Sequence, residues 1–153
     1  MATSTTQRTG SCLCGAIQLK IAGEPLFTNL CHCISCQKST GTILASVAAF
    51  KPEQLEYTVT PPDVLKTYVD GSPLSGSTLE RSFCSICGSR VRNEATRRKG
   101  VMAVVPTGII DGDKAGLKPR FEFFCKNREE WVAKVEGSRE FVLSAQTMAD
   151  LGL

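Results

Sequence analysis

Apolar and polar residues alternate with a period of two along most of the chain. Ile17, Leu19 and Ile21 fall on one face and Gln18 and Lys20 on the other, the pattern of a strand with one buried side. Leu55, Tyr57 and Val59 repeat it, and Pro61-Pro62 ends that strand. Residues 43–50 form an apolar run of strand length, and 64–69, 77–83, 89–95 and 101–107 read as further strands, with a turn cluster at 71–76. Phe121, Phe123 and Cys125 alternate against Glu122, Phe124 and Lys126, which places Cys125 on an apolar strand face as a buried core thiol. Only residues 128–135 and the last dozen carry a helical pattern. The expected fold is mainly β, built of antiparallel strands with short helical turns, with residues 1–9 as a flexible tail and 10–153 as a single domain.

Composition narrows the class. A length of 153 residues suits one domain. A hydrophobic fraction of 42% with 22% charged residues is that of a folded chain rather than a disordered one. No apolar run approaches the roughly 18 residues of a membrane span, so no membrane partner is expected. The first ten residues are small and polar with one Arg and no apolar stretch, so no secretory leader is read and a cytoplasmic location is expected. In that setting eight cysteines read as metal ligands rather than as four disulfides.

Seven of the cysteines fall in three clusters: Cys12-Leu13-Cys14-Gly15, Cys31-His32-Cys33-Ile34-Ser35-Cys36 and Cys84-Ser85-Ile86-Cys87-Gly88. Cys-x-x-Cys-Gly is a zinc knuckle, whose glycine permits the turn that aims backbone N–H groups at the thiolates. The Cys12 cluster is a shorter version of it. Two knuckles make four thiolates, a closed tetrahedral set suited to a structural Zn²⁺ on Cys12, Cys14, Cys84 and Cys87. The central cluster offers only three, and three protein ligands with one open position mark a catalytic zinc, here on Cys31, Cys33 and Cys36. The competing reading is one structural zinc with buried free thiols.

Charge follows the metal. The formal net charge of +3 treats every thiol as neutral. Seven thiolates around two Zn²⁺ cancel it, and with it the charge-based case for nucleic acid. His32, the single histidine, lies between two cysteines expected to face the metal, so it points away and takes an orienting role. Arg97-Arg98-Lys99 reads as a solvated turn. Arg90 and Arg92, alternating on one strand, are better placed to meet an anionic substrate, and Lys38 joins them as a substrate-binding candidate.

The three cysteine motifs, in this order, resemble the glutathione-dependent formaldehyde-activating enzyme family, which includes the centromere protein V-like proteins. Matching segments are Gly10-Ser11-Cys12-Leu13-Cys14-Gly15-Ala16-Ile17, then residues 31–41 from Cys31 to Gly41, then Phe83-Cys84-Ser85-Ile86-Cys87-Gly88-Ser89, followed by Gly108-Ile109-Ile110-Asp111 and the segment from Phe123 to Arg128 with Trp131. Gln37 stands where the family commonly has a basic residue, and Thr40 where it usually has Ser. The resemblance implies an Mss4-like β fold stapled by the structural zinc, two Zn²⁺ in all, and glutathione as co-substrate. It also implies carbon–sulfur lyase chemistry: reversible addition of glutathione to formaldehyde, giving S-hydroxymethylglutathione.

The site chemistry supports a thiol substrate independently. An open Zn²⁺ deprotonates a thiol that binds it, and three thiolate ligands blunt its Lewis acidity, so a thiolate nucleophile suits it better than hydroxide. The expected partners are a small-molecule thiol and a small carbonyl compound. Ser35, Thr40, Lys38 and water are the candidate proton sources. Two alternatives stay open: the same zinc site acting as lyase or hydrolase on another intermediate, and a zinc-ribbon-like binding module without chemistry.

Overall fold

The computed structural model describes residues 6–71, 76–145 and 149–152. Its strands, in chain order, are β1 (Gln7–Ser11), β2 (Ile17–Ala22), β3 (Phe27–Cys31), β4 (Ala45–Phe50), β5 (Leu55–Val59), β6 (Leu65–Asp70), β7 (Leu79–Cys84), β8 (Arg90–Ala95), β9 (Ala103–Pro106), β10 (Phe121–Phe123) and β11 (Arg139–Glu140). One α-helix is described, α1 (Ile34–Thr40), together with several single-turn 3₁₀ segments. The fold is mainly β, as the alternation predicts.

Strands β1, β2 and β5 form a small antiparallel sheet. The other eight form a large one in the order β11-β10-β3-β4-β9-β8-β7-β6. Strand β2 shows why the two sheets pack. Ile17, Leu19 and Ile21 are buried while Gln18 and Lys20 are exposed, so one face must find apolar partners. Leu19 and Ile21 find them in Ala48 and Phe50 of β4 and Val105 of β9. Each such side chain contributes about 1.5–3 kcal/mol when fully buried. Strand β4 is buried on both faces, which explains why every residue but Ser46 is apolar: Ala48 and Phe50 meet the small sheet, and Ala49 meets Phe27, Met102 and Phe121 on the far side.

The structure corrects several sequence expectations. The sheets are mainly antiparallel, as expected, and only β10 departs from this, running parallel to both β3 and β11 among the described strands. Residues 128–135 form turns, not a helix. Of the final dozen, Ala149–Leu151 is a 3₁₀ turn, while 146–148 and 153 lie outside the described residues. The turn expected at 71–76 falls mostly on 72–75, also outside them. Gln7, Arg8 and Thr9, expected in a flexible tail, pair with β2, while residues 1–5 of that tail lie outside the described residues. That pairing is carried by backbone hydrogen bonds, which leave no hydrophobic period in a polar segment. Gly10 is required here: a Cβ would meet the Ile109 carbonyl oxygen at 2.5 Å.

The expected alternation after residue 121 breaks at Phe124, which adopts a left-handed backbone conformation (φ 57°). The chain turns there, Phe124 is buried, and Cys125 leaves the strand for a 3₁₀ turn where it is only half-buried. Cys125 is therefore not a core thiol of a strand face. Strand β10 instead delivers Glu122 into the interior, fully buried. Its carboxylate accepts bonds from Ser138 Oγ (2.7 Å), the Val135 N–H (2.8 Å) and Arg128 Nη1 (3.1 Å), and lies 3.1 Å from His32 Nε2. Burial pushes this carboxyl up, but the bonds from Ser138, Val135, His32 and Arg128 outweigh it and hold it below its usual range.

Glu122→Ala removes the acceptor common to four groups and is expected to destabilise the fold by about 3–5 kcal/mol at neutral pH, read from urea unfolding. The depressed carboxyl contributes stability that is present above the unfolded value of about 4.3 and lost as pH falls toward the folded one. The difference between wild type and variant therefore shrinks below about pH 4.

Candidate active site

The four sulfurs of the outer clusters converge from two turns. After β1, Cys12 donates its N–H to the Ile17 carbonyl and its own carbonyl accepts from Gly15, closing a tight loop into β2. The Ile17 N–H reaches back to Cys12 Sγ at 3.2 Å. After β7, Gly88 donates to the Cys84 carbonyl in the same manner. Gly15 and Gly88 have φ of 78° and 75°, which a side chain resists. Cys12 Sγ lies 3.6 Å from Cys14 Sγ, and Cys14 Sγ lies 3.7 Å from Cys84 Sγ. A tetrahedral ion with bonds of about 2.3 Å separates its sulfurs by about 3.8 Å, so the set fits a Zn²⁺ without rearrangement. Ser89 joins the turns: its Oγ accepts from the Leu13 N–H at 3.0 Å and lies 3.3 Å from Cys87 Sγ. That contact is the main reason the Cys87 thiol is lowered to about 5.

Cys31, Cys33 and Cys36 also converge, with their sulfurs within 4.8 Å of one another. Cys31 ends β3, and Cys33 caps α1, its Sγ accepting from the Cys36 N–H at 3.3 Å. The short helix returns the third thiol to the first two. Hydrogen bonds from Cys31 and Cys33 hold Cys36 down at about 3, and Arg81 and Arg90 add to the effect. The same contacts, with burial, push Cys31 up. A cation at this point would let all three thiols ionise together, and only three sulfurs converge on it.

The three sulfurs line a cavity of about 180 Å³. Its walls are apolar where Phe27, Val47, Met102, Val104 and Phe123 face it, and cationic where Arg81, Arg90, Arg97 and Arg98 do. The left-handed turn at Phe124 packs that ring beside Cys31 and Cys33. Arg90, a substrate-binding candidate from the sequence, is among the lining residues. Arg92 is not: its Nε bonds Glu94 at 3.2 Å and its guanidinium lies over the Tyr57 ring. A register shift opposite Ser82 and Phe83 is the reason, since it resets the alternation and separates two arginines that a regular strand would align. Lys38 is exposed on α1 and outside the lining, because the helix turns only its cysteine toward the cavity.

The proposed proton sources are also elsewhere. Thr40 Oγ1 and Ser39 Oγ donate to the Cys36 carbonyl, and neither they nor Ser35 line the cavity. His32 is fully buried and directed at Glu122, away from the sulfurs. Gln37 Nε2 donates to the His32 carbonyl at 3.0 Å, bracing the loop that carries the triad. Sequence reasoning missed Arg81, Asn93 and Glu122. Arg81 sits in a strand for which the sequence assigned no facing; its signal was Asp70, whose Oδ2 accepts from Arg81 Nε and Nη2 at 2.9 and 2.8 Å.

Comparison with known proteins follows the same lines. A family model described as glutathione-dependent formaldehyde-activating enzyme matches residues 7–127. No curated protein matches. A Rhodobacter sphaeroides protein of known crystal structure is similar in fold, with a TM-score of 0.53 at 22% identity, over 70% of this chain and 91% of that one. Among the described residues no helix is long and apolar enough to cross a membrane.

A substitution isolates the turn that presents the thiols. Space is open around Gly88, so Gly88→Ala meets only backbone strain, and a loss of about 1–2 kcal/mol is expected in chemical denaturation. Gly88→Asn, which tolerates the left-handed conformation, recovers part of it.

Proposed function

The chain belongs to the glutathione-dependent formaldehyde-activating enzyme family, and from that premise we propose that it is a zinc-dependent carbon–sulfur lyase. It adds a thiol such as glutathione reversibly to a small carbonyl compound such as formaldehyde. The observation that carries this reading is the difference between the sulfur clusters. Four sulfurs close one site, whereas three open onto a cavity. A module that only binds partners gains nothing from an incomplete ligand set facing a cavity.

In this reading Cys12, Cys14, Cys84 and Cys87 hold a structural ion, and Cys31, Cys33 and Cys36 hold a catalytic one. A Zn²⁺ held by these three sulfurs would have room for a further ligand and would lower the pKa of a thiol bound to it toward neutral pH. The chain's residues do the rest. The apolar wall of Phe27, Val47, Phe123 and Phe124 limits water at the sulfurs, which strengthens every charge interaction beside them. Arg81 and Arg90 offset the negative charge that a further thiolate brings. Glu122, through His32, and Gln37, through the His32 carbonyl, fix the loop carrying Cys31 and Cys33. In the addition a carbon–sulfur bond forms, the carbonyl π pair moves to oxygen, and the thiol's proton ends on that oxygen. Ser35, Lys38 and Thr40 lie outside the lining, so the proton reaches that oxygen through water or a lining hydroxyl such as that of Ser144.

Two zinc ions per chain are expected by metal analysis of protein purified without chelator. Cys84→Ser is expected to abolish folding, because closed zinc sites supply about 10–16 kcal/mol in small domains, at least the whole stability of a typical fold. Cys33→Ser keeps an oxygen cap for α1 and is expected to lose one ion while circular dichroism stays native. With Co²⁺ in place of zinc, glutathione should shift the thiolate charge-transfer bands and S-methylglutathione should not. A single tightly held ion with Cys31, Cys33 and Cys36 open to alkylation would sink the assignment.

A further inference from the structure

Among the described residues, arginines and no carboxylates share the cavity with the sulfurs of the triad. Three thiolates around a divalent ion carry one negative charge, and a bound thiolate raises this to two. Against it stand Arg81, Arg90, Arg97 and Arg98, and no Asp or Glu lines the cavity among the described residues. Asp70, bonded to Arg81, offsets one of the four. Arg97 is exposed to solvent and Arg98 has a partner of its own, so the cations that bear on the cavity's interior are Arg81 and Arg90.

The hydrogen-bonding inventory points the same way. Arg81 is 5% exposed, and its Nη1 is buried without a protein partner. Arg90 gives Nη2 to Asn93 Oδ1 at 2.8 Å, while its Nε and Nη1 are buried and unpartnered. Buried donors of this kind are normally satisfied, and guanidinium N–H groups left over beside a cavity are met by an anionic oxygen such as a carboxylate's. Formaldehyde has two heavy atoms and no charge, so it uses neither these donors nor most of the 180 Å³. That volume is also below the roughly 300–1,000 Å³ that encloses a drug-sized ligand, so a tripeptide thiol is not enclosed whole.

We propose that Arg81 and Arg90 form a carboxylate subsite within the cavity, so that the substrate pair of this chain carries a carboxylate close to its reacting carbon or sulfur. The class this describes is a small 2-oxo or aldehyde acid as the carbonyl partner, or a short mercapto acid as the thiol partner. The inference rests on the lyase reading for the reaction, but the subsite stands on the arginines alone. The bond changes are those of the neutral case: the thiol's S–H adds across the C=O bond, and the carboxylate takes no part beyond anchoring.

Isothermal titration calorimetry of the zinc-loaded protein with propionate and with its neutral isostere propionamide tests the subsite without turnover. Propionate is expected to bind at least tenfold more tightly, and Arg90→Gln to bring the ratio close to one. Equal binding of the two probes to wild type overturns the proposal without any variant, and so does a ratio that Arg90→Gln leaves unchanged, since the carboxylate then contacts the metal alone. Two comparisons on wild-type enzyme separate the sources. With 2-mercaptoethanol as thiol, glyoxylate should exceed formaldehyde in kcat/KM by at least tenfold if the carbonyl partner bears the anion. With formaldehyde as carbonyl, mercaptoacetate should exceed 2-mercaptoethanol similarly if the thiol partner does. No advantage for either acid overturns the subsite while leaving lyase activity intact. Propionate selectivity in a protein that turns over no thiol adduct supports the subsite and removes the lyase reading.

Discussion

Sulfurs brought within a few ångströms of one another cannot all stay charged unless a cation lies between them, and this constraint organises the molecule. It is met at two places by opposite means. Around Cys12, Cys14, Cys84 and Cys87 two glycine turns supply all four corners of a tetrahedron. Around Cys31, Cys33 and Cys36 a strand end and a seven-residue helix supply three. The sheets can be understood as the frame that holds these groups. The tetrad ties the small sheet's β1–β2 turn to the β7–β8 turn of the large one, and the triad sits where β3 leaves the large sheet's centre.

The polar interior near the triad follows from the same requirement. A loop with cysteines at alternate positions has to be braced from behind. His32, between them, turns inward to Glu122, which also receives Arg128, Ser138 and the Val135 N–H. The parallel pairing of β10 with β3 makes this possible, since it sets Glu122 opposite Leu30 and Phe123 opposite Cys31. The strained turn at Phe124 then carries an aromatic ring to the sulfurs. Left-handed backbone at a bulky residue costs about 1–2 kcal/mol, and it sits here beside the candidate reaction centre.

What the sequence made legible was whatever depends on short spacing. The three cysteine clusters, the alternation of Ile17, Leu19 and Ile21, and the inward strand of Arg90 could all be read from residues a few places apart. What it hid depends on partners far along the chain or on a local break in period. A register shift beside Arg92 sent that side chain to Glu94 and Tyr57. Phe124 broke the alternation that had placed Cys125 in a core. Arg81 and Glu122 looked like surface residues because charged side chains usually are, and their partners are visible only once β6, β7, β10 and β3 are assembled. Helix α1 was invisible to hydrophobic periodicity because none of its residues is buried; its purpose is to return Cys36 to Cys31 and Cys33.

The two sulfur sets also differ in when they can exist. Cys31, Cys33 and Cys36 span six residues, whereas Cys14 and Cys84 are separated by 70. The length-dependent part of the loop-closure cost is about 2 kcal/mol greater for the longer span. During synthesis the triad emerges complete while β7 is still unmade, so a metal captured there says nothing about whether the domain has been finished. The tetrad cannot close until Cys84 and Cys87 have been added and the β7–β8 turn has docked against the β1–β2 turn. The order of the cysteines along the chain thus makes the triad the first cation site that can assemble, and the tetrad one that waits until Cys87 has been added.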